Sequence, residues 1–115
     1  MGLDIFFEKH TEVAYFRKVN FLVAYMSAYF DEDIENLKDY YLDEDCVEEL
    51  IQRCKEVLFD HSTAPILLPT TSGFFFGNTE YNRLYFEAVQ EVMDKMNDIL
   101  QRLQEGETIV FRIWY

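Results

Sequence analysis

Two short alternating segments, about a hundred residues apart, constrain this chain most. In residues 3–9, Leu3, Ile5 and Phe7 fall on one side and Asp4, Phe6 and Glu8 on the other. In residues 109–115, Ile109, Phe111, Ile113 and Tyr115 alternate with Val110, Arg112 and Trp114. A period of two with apolar residues on one side is the pattern of a half-buried strand. A lone strand leaves two rows of unpaired backbone groups and is not stable alone. Pairing the first segment with the last is the simplest arrangement, in either direction. Whatever lies between must start and finish at one small sheet.

The middle of the chain reads as mostly helical. From about Thr11 to Phe30, Tyr15, Val19, Leu22, Met26 and Tyr29 form a stripe, and Phe21, Ala24, Tyr25 and Ala28 make the reverse side apolar too. A helix apolar nearly all round is expected at the centre of a domain. Residues 31–49 hold ten of the 22 acids and one base, Lys38. Within this acidic stretch Tyr40–Leu42 reads as a third short strand. Asp43 reads as an N-cap, followed by acids where a helix dipole favours them. The second helix should run to about Phe59, with Cys46, Val47, Leu50, Ile51, Cys54, Val57 and Leu58 in its period. Pro65, Pro69, Gly73 and Gly77 then predict a loop of about 18 residues. The third helix should start near Thr79, carry a stripe from Tyr81 and Leu84 to Leu103, and stop at Gly106. The expected fold class is α+β: a single domain of three main helices packed with a small sheet formed by the N- and C-terminal strands.

The totals narrow the partners. A length of 115 residues suits one domain, and half of them are apolar, enough for a core. The net charge of −12 disfavours nucleic acid and anionic membrane as partners and fits a basic protein partner. Its plainer use is solubility for an apolar chain. No apolar run reaches the length of a transmembrane helix, and MGLDIFFEKH has no basic region of a signal peptide. Cys46 and Cys54, eight apart on a helix, are about 12 Å apart and too distant to form a disulfide. Both read as core residues of a cytoplasmic protein.

Three motifs carry a resemblance: Met1–Asp4 (MGLD), YFRK at 15–18, and LPTTSGFFFGNTEY at 68–81. Together they resemble a family of small uncharacterised proteins of bacteriophages and bacterial mobile elements. These open with M-G-L-D and carry LPT-x-SGFFFG-[ST]-TEY before the last helix. The likeness covers most of the chain in order. Asn78 replaces the small hydroxyl residue of the motif, so a role needing that hydroxyl does not transfer. The resemblance implies an accessory role. Some such chains are labelled phosphoglycerate kinase, which does not suit this sequence. It is too short for a two-domain cleft and has no glycine-rich loop followed by lysine.

No enzyme signature stands out. His10, His61, Cys46 and Cys54 have no zinc spacing, and DEDIE at 31–35 lacks the calcium-loop glycine. Ser72 is not in a nucleophile elbow. No metal, no cofactor and no catalytic residue is expected. Two binding regions are. In the first, Phe74, Phe75 and Phe76 cannot all face one way, Asn78 or Thr79 can cap the third helix, and Tyr81 follows. Arg17 and Lys18, with Lys9 and His10, form the one basic cluster of an acidic chain. These residues could hold an anion, or the phenylalanines could simply plug the core. The second region is an acidic partner surface of Asp43, Asp45, Glu48 and Glu49. The leading expectation is a non-enzymatic protein that binds a host protein as inhibitor or adaptor. A nucleotide-binding or sequestering protein is the alternative. The third reading is a homodimer through the terminal strands, whose second face carries Phe6 and Trp114.

Overall fold

The computed structural model describes residues 3–8, 12–71 and 79–114. Strand β1 (Asp4–Glu8) lies between β2 (Glu12–Arg17) and β4 (Val110–Trp114), and β3 (Tyr40–Tyr41) borders β4. All three pairings are antiparallel, and the first and last strands lie side by side at the centre of a four-stranded sheet, the simplest arrangement expected from the sequence. The register aligns Phe16, Ile5 and Ile113 in one row and Ala14, Phe7 and Phe111 in the next. All six are buried. They form the inner face, on which the helices lie.

Four helices occur among the described residues: α1 (Asn20–Phe30), α2 (Glu44–Phe59), α3 (Ala64–Leu67) and α4 (Arg83–Gln104). Helix α2 begins where its cap predicts. The Asp43 carboxylate accepts the Cys46 amide at 2.8 Å and the Tyr29 hydroxyl at 2.8 Å. Its buried face is Cys46, Val47, Leu50, Ile51, Cys54 and Val57, packed along α4. Helix α4 ends at Gln104, two residues before Gly106, whose φ of 92° lets the Glu107 amide reach back to the Arg102 carbonyl at 3.0 Å. Two buried phenols tie the helical layer together. Tyr25 donates to the Cys46 carbonyl at 2.6 Å, and Tyr85 donates to the Leu68 carbonyl at 2.8 Å.

Three expectations are corrected. The helix from Thr11 to Phe30 is a strand followed by a shorter helix. Residues 12–17 form β2 because β1 needs a second antiparallel neighbour, and Ala14 and Phe16 then bury while Tyr15 and Arg17 face out. Lys18, at φ 59°, turns the chain before α1. The first part of the expected 18-residue loop is helical, with a 3₁₀ turn at His61–Thr63 leading into α3. Asp60 caps that turn through the Ser62 amide and hydroxyl. Finally, α4 starts four residues late. Asn82, not Asn78 or Thr79, is its cap, accepting the Tyr85 amide at 3.1 Å. The buried stripe is accordingly Tyr85, Val89, Val92, Met96 and Ile99, and Tyr81 and Leu84 are exposed.

Candidate functional site

The first expected site is only partly visible. Phe74, Phe75, Phe76 and Asn78 lie outside the described residues, as do Lys9 and His10. Thr79 and Tyr81 are exposed. The Tyr81 hydroxyl accepts the Thr70 amide at 3.1 Å, and the Thr70 hydroxyl donates to the Thr79 carbonyl at 2.9 Å. These bonds bring the two ends of the segment together. Arg17 and Lys18 do border the start of α4, across a cleft of about 300 Å³ that Thr70, Asn82 and Glu80 also line. Of the expected anion site, the cleft thus contains Arg17 and Lys18, while Thr79 and Tyr81 are not among its lining residues. Its electrostatics are mixed, because Glu80 lines the same cleft, and the Asn82 side chain already accepts an amide of the first helical turn.

The second expected site divides by role. Asp43 is a structural cap, engaged by Cys46 and Tyr29. Glu49 lies 3.8 Å from Arg53, and Arg53 itself donates to the Leu67 carbonyl at 2.9 Å, fastening α3 to α2. Asp45 and Glu48 are exposed and meet no cation among the described residues. The remaining acidic segment is partly neutralised: Lys38 bridges Glu32 at 2.8 Å and Glu35 at 3.1 Å, and Arg112 meets Asp39 at 2.7 Å.

Sequence reasoning missed where this acidic surface leads. A helix turns about 100° per residue, so Asp45, Glu48, Gln52, Glu56 and Phe59 share one side of α2. That side lies opposite the buried face. It ends at Phe59, which is 94% exposed, beside Ile66 of α3, which is 78% exposed. Between them opens a cleft of about 590 Å³, lined also by Gln52, Lys55, Glu56 and Leu67. Apolar side chains this exposed, grouped around a concavity, are a common mark of an interaction site. The signal was present in the sequence: Phe59 falls outside the period of the buried residues. It was hidden because Ile66 belongs to a helix that the prolines had made look like loop.

The cysteines and histidine have other roles. Cys46 and Cys54 are free and buried, and burial pushes both thiols up to about 12. His61 stacks on Phe86 with ring centres 3.6 Å apart. Among the described residues, no helix is long and apolar enough to cross a membrane. No family model, no curated protein and no solved structure matches the chain.

Proposed function

We propose that this chain is a small non-enzymatic accessory protein, of the bacteriophage or mobile-element kind its motifs resemble, that binds a host protein as inhibitor or adaptor. The observation that supports this reading is the outer side of α2, where Asp45, Glu48 and Glu56 lead into the Phe59–Ile66 cleft. A partner suited to it presents an apolar side chain for the cleft and lysines or arginines spread along about 21 Å of helix. Acids steer the encounter and an aromatic anchor holds it, the usual division of labour in such interfaces.

The test uses two variants that leave the cap intact: Asp45→Asn with Glu48→Gln, and Phe59→Ser. Each is immobilised beside the wild type and used to capture protein from a bacterial lysate at low salt. A species identified by mass spectrometry should be retained by the wild type and lost from both variants, and moderate salt should weaken its retention. Equal recovery on all three baits would refute the proposal.

A further inference from the structure

Helix α3 is the less secure wall of the cleft between Phe59 and Ile66. It has four residues, and a single helical turn has little stability of its own. Its last carbonyls need partners from outside the helix. Two side chains supply them. The Arg53 guanidinium of α2 donates to the Leu67 carbonyl at 2.9 Å, and the Tyr85 hydroxyl of α4 donates to the Leu68 carbonyl at 2.8 Å. The two bonds thus tie the end of α3 to different helices. The cleft opens between α2 and α3, so its width depends on the Arg53 bond. The guanidinium is itself held in place. It lies over the Tyr25 ring, 5.6 Å from its centre, and its other terminal nitrogen faces Glu49 at 3.8 Å. Arginine makes all three contacts at once because its head is planar and carries several donors; lysine has neither property.

We propose that Arg53 is the positioning residue of this binding site: it sets how far Ile66 and Leu67 stand from Phe59, and so whether a partner's apolar side chain can enter. The inference rests on the reading of the cleft as the anchor site for a basic partner. Charge alone gives Arg53 no such role. The outer side of α2 carries Asp45, Glu48 and Glu56, and an arginine beside them repels a basic partner. What Arg53 contributes instead is the geometry it imposes on α3. The two roles predict opposite signs. Acting only through its charge, Arg53 would weaken binding, and its removal would tighten the complex. Acting as the tie between α2 and α3, it maintains the cleft, and its removal releases the partner.

Arg53→Met removes the donors and the charge but keeps an unbranched side chain. Amide hydrogen exchange reads its effect on α3 without any partner. The Leu68 amide closes the α3 turn on the Ala64 carbonyl at 2.9 Å. In the variant it should exchange at least about tenfold faster relative to Val92 and Met96 of α4, the consequence of losing a bond from a charged donor. Capture reads the effect on the site. The species identified by mass spectrometry, retained by the wild type and lost from Phe59→Ser, should be lost from Arg53→Met too, although that bait is more acidic. Should Arg53→Met fail to fold, Arg53→Lys, which keeps the charge without the planar fork, replaces it with the same two results expected. A Leu68 rate that moves no more than those of α4 would overturn the proposal. So would an Arg53→Met bait that retains the species as well as the wild type or better. If Phe59→Ser also retains it, the reading of the cleft itself fails, and this proposal falls with it.

Discussion

Replacing Asp43 by alanine removes two bonds of different kinds. One is the cap on α2, the carboxylate accepting the Cys46 amide at 2.8 Å. Losing such a cap costs about 1 kcal/mol. The other is the Tyr29 hydroxyl, which donates to the same carboxylate at 2.8 and 3.1 Å and links α1 to the start of α2. A hydrogen bond of this kind contributes about 0.5–1.5 kcal/mol net. Together the loss is about 1.5–2.5 kcal/mol, or a Tm lower by about 6–10 °C in a domain of this size. Thermal melts followed by far-UV circular dichroism measure it. Asp43→Asn should recover most of the loss, since asparagine caps as well as aspartate does. Tyr29→Phe should cost about 1 kcal/mol, and Asp43→Ala combined with Tyr29→Phe less than the sum by about 0.5–1 kcal/mol. If Asp43→Ala costs under about 0.5 kcal/mol, or if the two effects simply add, Asp43 is not the joint described here. It could then rejoin Asp45 and Glu48 as a contact residue.

Asn82→Ala should lower stability by about 1 kcal/mol in the same melts, while Thr79→Ala should change it far less, because the cap of α4 is Asn82. Stability should fall on the alkaline side. Burial raises the Cys46 and Cys54 thiols to about 12, and the bond to Asp43 raises Tyr29 to about 12. Burial raises Tyr25 and Tyr85 as well. Raised acids ionise first in the unfolded chain. Their contribution is therefore complete below the ordinary values of 9.0 and 10.0 and is lost as pH climbs towards the folded values. Urea midpoints that stay flat from about pH 8.5 to pH 11 would contradict this. Both thiols should resist a disulfide-exchange reagent in the native protein and react fully in denaturant; rapid native labelling would place them nearer the surface than described.

The parts of the fold that the sequence made legible are those where local chemistry and tertiary need agree. Asp43 sits before a clean apolar period, so α2 could be read to its ends. The alternation of 3–9 and 109–115 has no helical interpretation, so the central strand pair could be read too. Residues 12–17 were misread because Val13 to Phe16 are all apolar and satisfy either period. Helix α1 supplies no boundary signal, since Val19 at its start makes no side-chain cap. What decided the matter was the need of β1 for a second partner, which no local window contains. The cap of α4 failed for a related reason. Asn78, Thr79 and Asn82 are all competent caps, and the choice was made by Tyr85, whose ring had to reach the core. The α2 cleft was the least legible feature, because it joins an exposed residue of one helix to a short helix hidden among prolines.

The central strand pair has a consequence for how the protein comes to be folded. Pairing Asp4 with Trp114 joins the chain from position 4 to position 114, so this contact closes a loop of nearly the whole sequence. Such distant pairings slow folding. Synthesis proceeds from the N-terminus, so β1 and β2 leave the ribosome well before their partner β4 exists. For that interval one edge of β1 is open and the apolar side of the hairpin has only helices to cover it. β4 is therefore the strand that seals β1, and until it is made the nascent chain is most exposed to aggregation.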